Sequence, residues 1–334
     1  MLVVPDKQAL LVKSRNPDKI LNVLPNAKSI TVKGVPLVAV PHRINETRLL
    51  RNLGYNAPAP IRTYYDWPGR FKPFQAQKEA AAFLSMHTRA FNLSELGTGK
   101  SLASLWAYDY LRSIGLLNKA LVISPLSTLE RTWADELFNH FPHLTFGVLH
   151  GPKKKRIALL KEDYDVYVVN HDGVGILEPH LKTRTDIDLV IVDEIAQCAR
   201  NAGTTKWKMI NSVVNRHKEP RACWGMSGTP TPNAPTDAWA QCKLLVPDQV
   251  PPYFGRFKAT VMRQITQFKW IPKPDATETV RKIMQPAVRF TRDECLDLPP
   301  IMFETRAVPL TKEQNKAYKE MLSRLRTAAD NGEI

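Results

Sequence analysis

Cysteine is scarce and scattered. The four thiols stand at Cys198, Cys223, Cys242 and Cys295. None is spaced from another as a CxxC pair, which argues against a zinc ribbon and a disulfide scaffold and suits a reducing cytoplasm. No apolar run approaches the roughly 18 residues of a membrane span. The opening "MLVVPDKQALLVK" breaks its short apolar run with charge and makes a poor secretion signal. There is no internal repeat and no low-complexity tract. Acidic residues are also in deficit. The 334 residues hold 32 Asp and Glu against 47 Lys and Arg, a net charge of +15. That balance points toward polyanions, although basic faces also serve solubility. The excess is concentrated: residues 1–70 hold 11 basic against 4 acidic residues, and residues 253–292 hold 9 against 2.

What is present reads as an α/β chain long enough for two or three domains. In residues 1–66, "QALLVK" and "VPLVAVP" predict strands with the short helix "NPDKILNVL" between them, a small basic α/β module. "NAPAPIRTYYDWPGRFKP" is rich in Pro and aromatics and marks a boundary. Beyond it, apolar strands alternate with helices. "AFNLS", "KALVISP", "DVYVVN", "DLVIVDE" and "RACWGMSGTP" predict strands. "QAQKEAAAFLSM", "SLASLWAYDYLRSIG" and "LERTWADELFNHF" predict helices, the last with Trp133, Leu137 and Phe141 on one face. This alternation implies a parallel sheet covered on both faces, with ligands beyond the carboxyl ends of its strands.

Three loops at such strand ends carry chemistry. "SELGTGKS", Ser94 to Ser101, is a phosphate-binding loop with Ser94 where the pattern opens on Gly. Gly97 and Gly99 let the backbone wrap an anion around Thr98. Lys100 would reach the β- and γ-phosphates and Ser101 would hold Mg²⁺. "DLVIVDEIA" ends an apolar strand in two acids about ninety residues later. Asp193 would bind Mg²⁺ and Glu194 would orient and deprotonate the attacking water. "MSGTPTPN" ends a third strand, and Ser227 and Thr229 would sense the phosphate. Each loop has a bland reading, as a turn or a surface acid pair. Their order along one βα series favours an ATP site, and an ATP site between two basic segments favours nucleic acid.

The ordered set resembles the first motor lobe of a superfamily-2 helicase, of the Swi/Snf type that translocates on double-stranded DNA. "FKPFQ" is similar to the Q-motif of that family, in which Gln75 would read adenine. "ELGTGKS" matches motif I, where the family often lacks the leading Gly. "LVISPLSTLERTWADE" is similar to motif Ia, and "VVNHDGV" sits at motif Ib. "VDEIA" matches motif II and "SGTPTPN" motif III. "AVRFTRDECLDLPPIMFETRAVPLTKEQNKAYKEML" resembles the bridge to a second lobe, with its "LPP" and "LT..Q...Y" elements. The resemblance covers residue 70 or so to the end. It implies a RecA-like ATP-binding lobe over residues 67–300, a basic insertion at about 250–292 that protrudes in relatives, and the start of a bridge over 301–334. It implies ATP and Mg²⁺ as ligands, duplex DNA gripped by its phosphates, and no membrane partner. Ser127, Thr128 and Arg131 of motif Ia are the implied DNA contacts; capping of the helix that starts near Ser127 is their structural alternative.

Two departures bear on activity. Motif II has Ala196 where relatives carry His, so Gln197 either takes over the link to motif III or leaves it looser. The second lobe, with the arginine that completes the site, is expected in trans or in a longer chain. "GPKKKRIALL" reads equally as a DNA contact and as a solvated face. Tyr64, Tyr65 and Trp67 read as packing against the lobe more readily than as base-stacking groups. Alternative functions are an ATP switch that binds DNA without turnover and the translocase part of a restriction-type system. The compact form points to a bacterial or phage source and a cytoplasmic, nucleoid-associated location.

Overall fold

The computed structural model describes residues 1–215, 221–295 and 304–330. They belong to two compact units, Met1–Leu296 and Asp297–Ile334. The first unit opens with an antiparallel sheet. Its strands β1 (Leu2–Val4), β2 (Ala9–Val12), β3 (Lys28–Val32) and β4 (Val35–Pro41) lie in the order β1-β2-β4-β3. Alternate residues of β2 and β4 bury Leu10, Val12, Val38 and Val40 against Ile20, Leu24 and Leu50, the period-2 pattern of a half-covered sheet. Lys33 and Gly34, at φ 47° and 77°, turn β3 into β4; two consecutive positive φ angles match the right-handed twist of the strands. The short helix between β2 and β3 is Asp18–Leu21. β3 escapes the sequence reading because it is largely exposed and shows no burial alternation.

The main sheet has seven strands, all parallel. These are β5 (Arg89–Asn92), β6 (Lys119–Ser124), β7 (Phe146–Val148), β8 (Val166–Asn170), β9 (Ile187–Val192), β10 (Ala222–Met226) and, after a separate hairpin of β11 (Met262–Gln264) and β12 (Trp270–Pro272), the edge strand β13 (Ala287–Val288). The order is β13-β5-β10-β9-β6-β8-β7. Successive residues feed opposite cores. Ala120, Val122, Leu189, Ile191 and Trp224 face the helices Gln75–Ser85 and Lys100–Ser113. Leu121, Ile123, Val190, Val192 and Cys223 face Val174–Leu181, Thr205–Asn215 and Ala238–Leu245. Two covered faces account for the unbroken apolar runs. The five strands predicted for this sheet are all present. β7 and β13, of three and two residues, are too short to read. Among the described residues no helix is long and apolar enough to cross a membrane.

The Pro-rich stretch is a strap on the lobe. Ile61 and Trp67, on either side of residue 66, share one core with Trp106 and Tyr110. The Tyr65 hydroxyl donates to Asp109 Oδ2 at 2.5 Å, and the Trp106 indole N–H donates to the Pro68 carbonyl at 2.9 Å. Tyr64 bonds His42 at 3.0 Å. These aromatic groups are thus engaged in packing. In "GPKKKR", Arg156 is buried and donates to Gly151 O, Leu149 O and Asn170 Oδ1, while Lys153, Lys154 and Lys155 are exposed.

In the second unit, Lys312–Asp330 is helical. The Gln314 N–H donates to Thr311 Oγ1 at 3.2 Å and the Thr311 N–H to Gln314 Oε1 at 3.0 Å, a reciprocal N-terminal box. That gives "LT..Q" a local physical reason. "LPP", residues 298–300, lies outside the described residues.

Trp67 is 8% exposed, so Trp67→Ala should lower stability by about 3–5 kcal/mol. Urea unfolding checks this; a loss under about 1 kcal/mol would mean that the strap is not part of the core.

Candidate nucleotide site

The phosphate loop runs from β5 into the helix Lys100–Ser113. Gly99 sits at φ 76°, and a Cβ there would fall 1.9 Å from Gln77 Nε2. Both backbone and space therefore demand glycine. Gln77 is buried, and its Oε1 accepts the Phe74 N–H at 2.9 Å, which holds its amide against the loop. Gln75, the adenine reader that the resemblance implies, is exposed at the first turn of the same helix and donates to Glu79 Oε1. The Glu95 carbonyl gathers the loop: it accepts Thr98 Oγ1 at 2.8 Å, Thr98 N at 3.4 Å and Lys100 Nζ at 3.0 Å. Lys100 is 8% exposed. Burial pulls its pKa down, and the carboxylates of Glu194 and Asp193 oppose that shift.

Ser94, the departure from the glycine pattern, has a structural job. Its hydroxyl accepts the Phe290 N–H at 3.1 Å. The neighbouring bonds Leu93 N to Val288 O, Glu95 N to Phe290 O and Arg292 N to Glu95 Oε2 zip the segment leaving β13 onto the loop. A glycine would provide no such acceptor.

Asp193 follows β9, and its N–H donates to the Ile123 carbonyl of the adjacent β6. Trp133 donates its indole N–H to Asp193 Oδ2 at 3.0 Å, and the Glu194 N–H donates to Oδ1 at 3.0 Å. Buried His171 donates Nε2–H to the Asp193 carbonyl at 2.8 Å. Burying a carboxylate costs several kcal/mol, and each hydrogen bond to it returns about 1.5–3. The two donors do not close that gap: burial still raises the Asp193 pKa. The site favours a cation beside this group. Glu194 has φ 47°, an uncommon backbone for a residue with a Cβ. Burial and the Asp193 charge raise its pKa, which moves it toward the range of a working proton acceptor.

Ser227 continues β10 and is fully buried. Its hydroxyl makes a long bond, 3.4 Å, to Glu194 Oε2 and accepts the Thr229 N–H at 3.2 Å. Exposed Thr229 itself reaches neither acid by a hydrogen bond among the described residues. Gln197 donates its backbone N–H to the Glu194 carbonyl at 2.8 Å. Its exposed side chain lines a cleft of ≈ 840 Å³ with Asn233, Asp237, Trp239 and Phe254. Lys100, Asp193, Glu194 and Ser227 thus meet beyond the carboxyl ends of β5, β9 and β10, and Ser227 links the second and third loops directly. After β6, Ser127 and Arg131 are exposed, and the Thr128 hydroxyl donates to the Pro125 carbonyl. Among the described residues Ser127 makes no side-chain hydrogen bond, and the turns that start at Pro125 and Thr128 have no side-chain cap. A turn of π-helix, Leu129–Ala134, then carries Trp133 inward.

The donor set fits Mg-ATP. Among the described residues no group of three or more His, Cys, Asp or Glu side chains could hold a metal ion. Mg²⁺ at a nucleotide needs only one or two protein oxygens beside phosphates and water. Asp193 Oδ and the Ser101 hydroxyl, which has no hydrogen-bond partner among the described residues, are of the type that could supply them. The first backbone N–H groups of the helix Lys100–Ser113 lack intrahelical acceptors, the usual basis of an anion site. Trp133, His171, Gln77 and Glu136 were not identified as site residues in the sequence. Only Glu136 left a signal: it is an acid three residues after Trp133 beside an apolar face.

One Glu136 oxygen is enclosed without a partner among the described residues. Burial and the Asp193 charge push its pKa up to about 8, from an ordinary 4.5. Between these values the folded chain keeps a proton that the unfolded chain has lost, so stability falls as pH rises. From pH 6 to 8 the wild type should lose about 2 kcal/mol relative to Glu136→Gln. Parallel pH profiles in urea unfolding would exclude a buried, protonated Glu136.

The SNF2-related domain model matches residues 75–333 of this chain. Protein p41 of the Acyrthosiphon pisum secondary endosymbiont phage 1 is 29% identical over 153 residues, 44% of this chain and 33% of that protein. The ISWI chromatin-remodeling complex ATPase ISW2 of Saccharomyces cerevisiae is 26% identical over 189 residues, 54% of this chain and 16% of its own length. The chain therefore spans a third or less of these curated relatives. The Sulfolobus solfataricus SWI2/SNF2 ATPase core, solved in complex with double-stranded DNA, superposes with a TM-score of 0.56 at 23% identity, over 79% of this chain and 55% of that one. The sheet order, the three loops meeting at one end of it and the family match lead to one conclusion: the chain belongs to the SNF2-related domain family and contains a RecA-like ATPase lobe.

Proposed function

We propose that this chain is the ATP-binding lobe of a DNA-dependent ATPase that couples hydrolysis to translocation on, or remodelling of, duplex DNA. The observation that carries the reading is the convergence of Lys100, Asp193, Glu194 and Ser227 at one end of the sheet, beside a strand end that exposes Ser127 and Arg131. When bound, Mg²⁺ neutralises charge on the β- and γ-phosphates. The protein's part is positional. The loop N–H groups and Lys100 cradle the phosphates, Ser101 and Asp193 hold the metal, and Trp133 and His171 fix Asp193 in place. Water attacks the γ-phosphorus, the bond to the ADP oxygen breaks, and Glu194 accepts the water's proton. Ser227, bonded to Glu194, registers the phosphate and passes its state to Thr229 and the following loop. Gln197 supports this relay through its backbone bond to Glu194.

Ser127, Thr128 and Arg131 are the proposed contacts to DNA phosphates, with Thr128 acting through the turn that it ties to Pro125. Such contacts give salt-sensitive binding without base readout. A second RecA-like lobe, in trans or in a longer chain, supplies an arginine worth ~10³-fold or more in turnover. The helix Lys312–Asp330 supports this part of the proposal. Tyr318, Met321, Leu322 and Leu325 recur at helical spacing and are exposed, an apolar stripe of the kind that docks on a partner.

ATP turnover with and without blunt duplex DNA tests the reading. Glu194→Gln should lower DNA-stimulated turnover at least ~100-fold while Mg-ATP still binds. Lys100→Ala should abolish nucleotide binding. Arg131→Ala should reduce the slope of log affinity against log salt by roughly 0.9. Mg-ATP binding with no DNA-stimulated turnover, even when a second lobe is added, would favour a non-hydrolysing switch. Absence of Mg-ATP binding in folded protein would sink the nucleotide reading itself.

A further inference from the structure

We infer that the hairpin of β11 and β12 is a second nucleic-acid contact, which stacks Phe268 on an unpaired base at the end of a duplex. The inference extends the DNA reading above and rests on it. Residues 253–274 carry five cations, Arg256, Lys258, Arg263, Lys269 and Lys273, and no acid. Phe268, near the tip, is 89% exposed, with Ile265 beside it at 52%. A flexible loop would fold such a ring back onto the protein. Here the turn is closed by bonds from Ile265 N and Thr266 N to the Lys269 carbonyl at 2.9 and 3.3 Å, and from Lys269 N to Thr266 Oγ1 at 3.1 Å. The ring is held out by its own backbone.

The base of the hairpin is equally well fixed. The helix Phe254–Val261 sinks Phe257 and Val261 into the lobe core. Lys258 Nζ lies 4.0 Å from the Trp270 ring centroid, and Lys273 Nζ donates to the Ala259 carbonyl at 2.7 Å. These two cations brace the hairpin. Arg263, on β11, and Lys269, next to Phe268 in the chain, are exposed on the same hairpin. An exposed ring on a hairpin that also carries two cations with no ion-pair partner among the described residues fits a base and its adjoining phosphates. A paired base is held by its partner and its stacked neighbours, so it is an unpaired base in a single-stranded tail that is free to turn its face onto Phe268. The helix also packs on Pro235–Asp237, just past Asn233, and Phe254 meets Trp239 at 5.6 Å between ring centroids. The hairpin is therefore joined by packed side chains to the loop that senses the phosphate.

The test measures binding of the full chain to a blunt DNA duplex and to the same duplex with a short single-stranded tail, carrying 2-aminopurine at the first unpaired position. The wild type should prefer the tailed probe and quench its fluorescence. Phe268→Ala should weaken tailed binding by roughly 5- to 100-fold, leave blunt binding unchanged and abolish quenching; Phe268→Trp should retain all three wild-type properties. Arg263→Gln with Lys269→Gln should lower the salt slope on the tailed probe by roughly 1.4. Equal wild-type affinity for both probes, or unaltered tailed binding by Phe268→Ala, overturns the inference while the DNA reading stands on the blunt duplex and Arg131→Ala. Loss of self-association in sedimentation of Phe268→Ala, with DNA binding intact, would reassign the tip to a protein contact and also overturn it. Failure of the wild type to bind either probe would remove the DNA reading and this inference together.

Discussion

The placement of β10 between β5 and β9 is the constraint on which the site depends. Backbone hydrogen bonding holds parallel strands about 4.8 Å apart, so loops that leave neighbouring strands in the same direction have little freedom to separate. Met226 pairs with Asn92, Gly225 with Val192, and Ile123 with Val192. The residues that follow are therefore delivered to the same end of the sheet: Lys100 from the loop after β5, Ser227 from the loop after β10 and Asp193 from the loop after β9. Even the Asp193 N–H is used in this way, bonded to the Ile123 carbonyl one strand over. Chemistry that is spread over more than a hundred residues of chain is brought together by register, and the side chains add fine adjustment.

That adjustment is a balance of buried charge. One lysine faces two acids, and a third carboxyl, Glu136, lies close behind Asp193. Burial disfavours every charge there, while each neighbour shifts the others. Trp133 and the Glu194 N–H stabilise the Asp193 carboxylate without neutralising it. The net acidity suits a divalent cation, and the N–H groups at the start of the helix Lys100–Ser113, which lack intrahelical acceptors, suit its phosphates. The π-helical turn Leu129–Ala134 carries both buried Trp133 and exposed Arg131. Such turns are uncommon and recur at functional sites; this one gives the proposed DNA contact Arg131 and Trp133, the hydrogen-bond partner of Asp193, a shared piece of backbone.

Much of this was legible because each part has a local cause. Buried parallel strands must be apolar throughout, so "DVYVVN" and "DLVIVDE" stood out. Phosphate loops need glycine at constrained positions, so "GTGKS" stood out as well. What escaped the sequence depends on long-range contact. Gln77 matters because Gly99 lies against it, and nothing in "QAQKE" distinguishes it from Gln75 two residues earlier. His171 reads as one polar residue after a strand until β8 and β9 bring it to the Asp193 carbonyl. Trp133 was read as core, which it is, but its indole N–H has a second partner that helical periodicity does not register. β13 is two residues long and exists only because β5 offers a free edge.

Ser94 gives the loop a mechanical role. A phosphate loop is usually pictured as a cup that changes with what it holds. Here its rim is stitched to the outgoing chain through Leu93, Ser94 and Glu95, with the partner bonds at Val288, Phe290 and Arg292. Hydrogen bonds loaded side by side along a strand share tension, so a pull on the chain beyond Arg292 is borne by the loop before it reaches the helix Lys100–Ser113. The reverse also holds: a loop that tightens draws in the outgoing strand. The serine makes the cup and the rope a single part, and strain can pass between them without any other element having to move.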